Sequence, residues 1–166
     1  MNNKTNFFIK AITSIYDIKV FSKYAKEGIL RSISYVILLT LILAGVRSIF
    51  MEPKNIEIKL NSVIYSIVSN FEIMLINLLI NCLIVAVISS IFTIFMKMLV
   101  KYIALYSVTL YAATLPLLIQ TALEIINPDI SFDAMFIAGT LTYVLLILKY
   151  IKDEIINNLD SKSHNN

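Results

Sequence analysis

The chain is poor in the residues from which most enzyme and metal sites are built. Among its 166 residues there is one histidine, His164, and one cysteine, Cys82. These counts exclude histidine-based metal sites and acid–base pairs inside the apolar part of the chain, and they exclude a disulfide framework. The three glycines, Gly28, Gly45 and Gly139, are too far apart to form a phosphate-binding loop. We therefore expect no catalytic residue, no cofactor and no metal site.

Charge is also scarce, and its distribution along the chain is informative. Charged residues make up 15% of the sequence, hydrophobic residues make up 58%, and the mean hydropathy is +0.82. Four long stretches carry no charge at all: 32–46, 73–96, 102–123 and 134–148. About 20 apolar residues in an α-helix cross a bilayer core. The stretches do not alternate with a period of two, so they predict membrane helices and not barrel strands.

These stretches predict an all-α polytopic membrane protein with four transmembrane helices. Arginine or lysine near a helix end can reach the lipid headgroups, so each span can extend slightly beyond its uncharged core. The expected spans are about 33–50, 73–96, 102–123 and 133–151. The expected division of the chain is a cytoplasmic amphipathic basic segment (1–31), a four-helix transmembrane domain (32–151) and a polar cytoplasmic tail (152–166).

The basic residues predict the orientation of these spans. With four spans, all but three of the fourteen lysines and arginines fall on the side that holds both termini; the exceptions are Arg47, Lys54 and Lys59. Cytoplasmic loops carry an excess of lysine and arginine. We therefore predict a multi-pass plasma-membrane protein with both termini in the cytoplasm. A three-span alternative would put the lysines that follow residue 148 on the wrong side.

The segment before the first span has the pattern of one or two short amphipathic helices on the cytoplasmic face. Apolar residues recur near helical spacing from Phe8 to Tyr24, and lysines lie between and after them: Lys10, Lys19, Lys23 and Lys26. Anionic lipid headgroups are the expected partners of these lysines. The simpler interpretation is an anchor that sets the orientation, and the alternative is a docking helix for a partner protein or a lipid sensor.

Polar residues inside two of the spans form a candidate intramembrane cluster. Asn77 and Asn81 lie one turn apart in the second span, at about the expected depth of Gln120 in the third, so we expect these amides to meet. The predicted cluster contains Asn77, Asn81, Tyr106, Thr109, Pro116 and Gln120. Pro116 should also kink its helix, because it cannot donate a backbone hydrogen bond. Helix packing through polar contacts is the simpler interpretation, and a path for a solute or ion is the alternative.

Two segments resemble a known family. One is Ser14-Ile15-Tyr16-Asp17, followed by Tyr24, Gly28 and Tyr35; the other runs from Tyr106 to Pro116 with the sequence YSVTLYAATLP. Both are similar to the bacterial membrane family called domain of unknown function 1189, which is found mainly in Gram-positive bacteria and some members of which are labelled maltodextrin utilisation protein. Family members typically carry a larger extracytoplasmic insert between the first two spans, so this chain resembles a short version. The family has no established catalytic residues, and the resemblance implies none here.

We therefore predict a non-enzymatic accessory, regulatory or scaffolding protein of the membrane. No charged residue lies deep in any predicted span, where a transporter usually needs one. Small residues at Ala134, Ala138 and Thr142 allow close helix approach, so a membrane-protein partner or a homo-oligomer is expected. The net charge of +3 is explained by orientation, and no nucleic-acid partner is expected. The alternative is a small permease or channel subunit that works as an oligomer.

Overall fold

Helices account for nearly all of the chain that the computed structural model describes, which is residues 6–51 and 60–163. These residues contain no strand, so the predicted all-α class is confirmed. The helices are α1 (Phe7–Tyr16), α2 (Phe21–Tyr24), α3 (Ile29–Met51), α4 (Leu60–Phe95), α5 (Tyr102–Ala112), α6 (Thr114–Ile126) and α7 (Asp133–Ser163). One turn of 3₁₀ helix, Ile18–Val20, joins α1 to α2.

Three of these helices, α3, α4 and α7, are long and apolar enough to cross a bilayer. Their apolar segments are Ile29–Phe50, Val63–Phe95 and Asp133–Asn158. They cover almost all of the first, second and fourth predicted spans, and two of the helices continue well beyond them. α4 begins at Leu60, ahead of residue 73, and α7 continues past residue 151 to Ser163. These three helices are compatible with the membrane protein that the sequence predicted.

The third predicted span is broken into two helices. α5 ends at Ala112, α6 begins at Thr114, and the two helices are bent by 42° relative to each other. Pro116 has no N–H to donate to the carbonyl of Ala112, so the kink expected from the sequence is present. Taken together, the two helices are also long and apolar enough to cross a bilayer. They form either one broken span or a re-entrant loop.

The apolar core lies where α3, α4, α5 and α7 pack against one another. Val36 of α3, Val85 of α4 and Val144 of α7 are fully buried there, as is the thiol-bearing Cys82. The outward faces of these helices are apolar as well, for example at Ile80. A helix that is apolar on all sides is typical of a membrane span, because one face packs on protein and the other contacts lipid.

The packing of α1 differs from the arrangement that the sequence predicted. Its polar side chains Lys10 and Ser14 are buried against the bundle. Its exposed large side chains are apolar: Phe8, Ile9, Ile12 and Tyr16. The expectation that Lys10 lies among lipid headgroups is wrong, because its ammonium group has the Glu27 carboxylate and the Tyr111 hydroxyl as partners inside the protein.

Candidate functional site

A polar pocket of about 330 Å³ lies where α3 and α6 end and α7 begins; we call it the turn-end pocket. Its polar lining combines one guanidinium with amides, carboxylates and a hydroxyl: Arg47, Asn77, Asn81, Gln120, Glu124, Asp129, Ser131 and Asp133. Its buried apolar lining consists of Met74, Leu78, Leu117 and Phe136. A mostly preformed concavity of this size with several convergent polar groups is typical of a small-ligand site.

An ion pair closes one side of the turn-end pocket. The Arg47 guanidinium donates a hydrogen bond of 2.7 Å to the Glu124 carboxylate and so joins α3 to α6. Both side chains are largely shielded, with 27% and 14% of their surface exposed, and this shielding strengthens a charge-assisted hydrogen bond. The sequence analysis accounted for Arg47 by headgroup contact and missed the pair. The sequence signal that could have revealed it was a charge of each sign near the ends of two spans, Arg47 in the first and Glu124 after the third.

Gln120 is the hydrogen-bond donor that connects α6 to α7 at the pocket. Its side-chain nitrogen lies 2.8 Å from Oε1 of Glu124 and 3.1 Å from Oδ1 of Asp133, and it donates to both. Glu124 therefore accepts from Gln120 with one oxygen and from Arg47 with the other. This network holds three helices at fixed positions around the cavity.

The two asparagines line the same pocket from the side of α4. Within the described residues neither Asn77 nor Asn81 hydrogen-bonds to Gln120, whose amide protons are taken by the carboxylates. The predicted amides therefore share a cavity without pairing across it. Their hydrogen-bonding groups remain available to a ligand, since a ligand need not displace an internal bond to reach them.

The other three members of the predicted cluster lie elsewhere and serve helix packing. The Tyr106 hydroxyl donates to the carbonyl of Leu79 over 3.3 Å and links α5 to α4. Thr109 donates to its own helix at the carbonyl of Leu105. Pro116 is buried and faces α7. Helical spacing predicted that the six residues lie near one another, but the bend between α5 and α6 separates Gln120 from Tyr106 and Thr109.

A second polar group lies on the opposite side of the α5–α6 bend; we call it the amino-terminal cluster, formed by Lys10, Thr13, Tyr24, Glu27 and Tyr111. Lys10 pairs with Glu27 and also donates to the Tyr111 hydroxyl over 3.1 Å. That hydroxyl in turn donates to Glu27 over 2.9 Å. The ammonium also lies 5.3 Å and 5.1 Å from the ring centroids of Tyr24 and Tyr111, within range of cation–π attraction.

Further contacts tie the amino-terminal segment to the bundle. Tyr24 shares a hydrogen bond of 2.9 Å with Thr13, and burial raises the pKa of this phenol, so it stays neutral at physiological pH. The Tyr143 hydroxyl of α7 donates to the carbonyl of Ser14 over 3.1 Å. The sequence analysis missed this cluster. The sequence pattern that could have revealed it is the spacing of Lys10, Thr13 and Ser14, which puts three polar side chains on one face of a short helix.

The part of the chain that contains α4, α5, α6 and the first half of α7 is similar to a known protein family. Residues 56–149 match the family described as Protein of unknown function (DUF1189), which is more than half of the chain. The chain belongs to this family. The DUF1189 match contains the segment from Tyr106 to Pro116 and all of the turn-end pocket except Arg47, whereas the segment from Ser14 to Asp17 lies outside it. No curated protein and no solved structure matches the chain.

Proposed function

We propose that this DUF1189 protein is a non-enzymatic accessory or regulatory protein of the plasma membrane, and that it binds a ligand or a partner's side chain in the turn-end pocket. The observation that carries the proposal is the convergence on one cavity of two amides without a partner among the described residues, those of Asn77 and Asn81, and of hydrogen-bonded carboxylates. Three carboxylates, those of Glu124, Asp129 and Asp133, line it together with the single guanidinium of Arg47. The excess negative charge favours a ligand with a cationic or hydrogen-bond-donating group.

We further propose that α5 and α6 form one bent span, which gives four spans and brings both termini to the cytoplasm. The charge distribution supports this arrangement, because most lysines then face the cytoplasm. It puts the turn at 127–132, and the turn-end pocket with it, on the extracytoplasmic side. A ligand would then reach the pocket from outside the cell or from the outer leaflet.

A binding role fits the geometry better than a conducting role in a single copy of the chain. The turn-end pocket and the amino-terminal cluster share no residue. Between Tyr111 and Gln120 lies about 13 Å of helix, if the rise is 1.5 Å per residue. Along that length Ala112, Ala113 and Leu117 belong to the buried apolar core. A hydrated path between the two polar groups would have to cross this core.

The alternative, a small permease or channel subunit, is favoured by one observation. The break at Ala113 lies two residues after Tyr111 of the amino-terminal cluster, and discontinuous helices commonly form the binding sites of transporters. In that case the apolar barrier would open during transport, or the path would form between copies of the chain in an oligomer.

Purification from native membranes tests the proposal when it is combined with pocket variants. The double variant Asn77→Leu with Asn81→Leu removes two polar groups and leaves the bonds of Gln120 intact. The control is Ser90→Ala, which removes a hydroxyl of the same helix that donates to the carbonyl of Val87, outside the pocket. We expect a partner protein or a small ligand, identified by mass spectrometry, to remain with the wild type and the control and to be lost from the double variant.

Two results would contradict the proposal, the first its accessory role and the second its binding site. One is a homo-oligomer with nothing else bound that conducts a solute when reconstituted in liposomes, since this outcome favours the permease. The other is a partner that the double variant and the wild type retain equally, since this outcome removes the turn-end pocket from the interaction. Thermal unfolding of both variants checks that neither result reflects misfolding.

A further inference from the structure

An apolar groove of about 450 Å³ lies between α1 and the first part of α3; we call it the α1–α3 groove. Phe7 of α1 forms one wall, and Leu30, Tyr35 and Leu38 of α3 form the other. Leu30 is 77% exposed and Leu38 is 41% exposed, and both lie in α3, which is long enough to span a membrane. The groove is therefore a mostly apolar cleft that opens along the side of the bundle, and Lys10, Glu27, Arg31 and Ser34 complete its lining.

The end of the groove nearest to α2 is basic. Arg31 lines both the groove and the neighbouring shallow depression, and Lys23 and Lys26 line that depression as well. All three are exposed, and in the described part of the chain none of them pairs with a carboxylate. Glu27, the acid at this rim, is already paired with Lys10. Its charge is thus compensated, and three positive charges remain without a partner.

The groove runs from the basic rim through most of the depth of one leaflet of the hydrocarbon core, which is about 15 Å. Seven residues separate Arg31 from Leu38, which is about 10 Å along a helix. The uncharged stretch of α3 begins directly after Arg31. A phosphate bound at the rim would lie at the level of the headgroups, and an acyl chain attached to it would run along Leu38 toward the bilayer centre.

We propose that the α1–α3 groove binds one anionic phospholipid, with its phosphate on Arg31 and Lys26 and one acyl chain against Phe7, Leu30 and Leu38. Charge complementarity selects the occupant: three unpaired cations favour a lipid of net negative charge over a zwitterionic lipid, whose own ammonium group would be repelled. The site uses the proposed membrane orientation only to assign the lipid to the cytoplasmic leaflet. It is independent of the turn-end pocket.

The absence of tryptophan from the chain allows a specific optical test. The variant Leu38→Trp introduces a single tryptophan in the groove, and lipids brominated on their acyl chains quench tryptophan on contact. In vesicles of fixed composition we expect brominated phosphatidylglycerol to quench this tryptophan more strongly than brominated phosphatidylcholine does. The control is Ile84→Trp on the exposed face of α4, where the two lipids should quench equally.

The role of the basic rim is tested by removing two of its charges in the Leu38→Trp variant. Each basic residue near an anionic surface contributes about fivefold to binding, so Lys26→Gln with Arg31→Gln should weaken the preference for phosphatidylglycerol about 30-fold. The matched control, Lys101→Gln with Lys149→Gln, removes two exposed charges outside the groove and should leave the preference unchanged. Vesicles with the same lipids in both leaflets make the result independent of orientation.

Native mass spectrometry of the wild type supplies a measurement without tryptophan. From nanodiscs with equal amounts of the two lipids, we expect the protein to retain one phosphatidylglycerol, and the Lys26→Gln, Arg31→Gln variant to lose it. Equal quenching by the two lipids in the Leu38→Trp variant, together with no retained phosphatidylglycerol, would overturn the proposal. A preference that is unchanged after removal of the two rim charges would overturn it as well.

Discussion

The ammonium group of Lys10 lies 3.1 Å from the hydroxyl of Tyr111, although 101 residues separate them in the sequence. Both groups bond to the carboxylate of Glu27. The amino-terminal segment is therefore part of the bundle, because its one buried lysine is neutralised by a glutamate just ahead of α3 and held by a tyrosine of α5. A charge pair in such surroundings depends on both of its partners.

Breaking this pair should destabilise the protein, and removing both charges should destabilise it less. Lys10→Met leaves the Glu27 carboxylate shielded without its cation and should lower the free energy of unfolding by about 3 kcal/mol. Adding Glu27→Gln should recover part of that loss, since no uncompensated charge remains. The control is Lys19→Met at an exposed position, with an effect within about 0.5 kcal/mol. Thermal unfolding in mild detergent measures all three, and a double variant less stable than Lys10→Met alone would contradict the pairing.

The residues of the turn-end pocket should differ in their effect on stability. Gln120→Leu removes two hydrogen bonds to carboxylates and should cost about 2 kcal/mol. Asn77→Leu should change the free energy of unfolding by no more than about 0.5 kcal/mol, because Asn77 is exposed in the pocket and makes no bond to the described residues. Chemical or thermal unfolding in the same detergent compares the two. Equal losses would contradict the division between a structural amide and ligand-facing amides.

The close approach of α6 to α7 should tolerate one added methyl group. A Cβ at Gly139 would lie 3.6 Å from Cγ of Pro116, which is an ordinary van der Waals contact. Gly139→Ala should therefore stabilise the protein by about 0.5 to 1 kcal/mol through the lower entropy of the unfolded chain. Gly45→Ala, where nothing lies near the added atom, serves as the reference and should give a similar gain. A clear loss at position 139 alone would mean that the helices need the glycine.

The sequence predicted the elements whose signal is local. Hydropathy alone located the helices around Ile33, Ile73 and Ala134, and one residue, Pro116, predicted the bend. Helical spacing also brought Asn77, Asn81 and Gln120 to one cavity. What it missed depends on contacts between distant segments. A lysine such as Lys10, set among apolar residues, gives the same pattern in a surface helix as in a helix that turns its polar face to the protein.

The ion pair at the turn-end pocket illustrates the same limit. Arg47 near the end of an apolar stretch is explained equally well by lipid headgroups and by a protein partner. Only the packing of α3 against α6 selects Glu124 as that partner. The choice depends on helix order in three dimensions, which hydropathy and charge counts do not contain.

The central claim is that α5 and α6 form one bent span, since the number of spans, the outward position of the turn-end pocket and the leaflet of the bound lipid all follow from it. Single cysteines at Asn127 and at Lys101, both exposed, test it in a Cys82→Ala background. The measurement is labelling of intact cells with a membrane-impermeant maleimide. We expect Asn127→Cys to react in intact cells and Lys101→Cys to react only after permeabilisation. Reaction of both cysteines from the same side would mean that α5 and α6 form a re-entrant loop, and it would contradict the account.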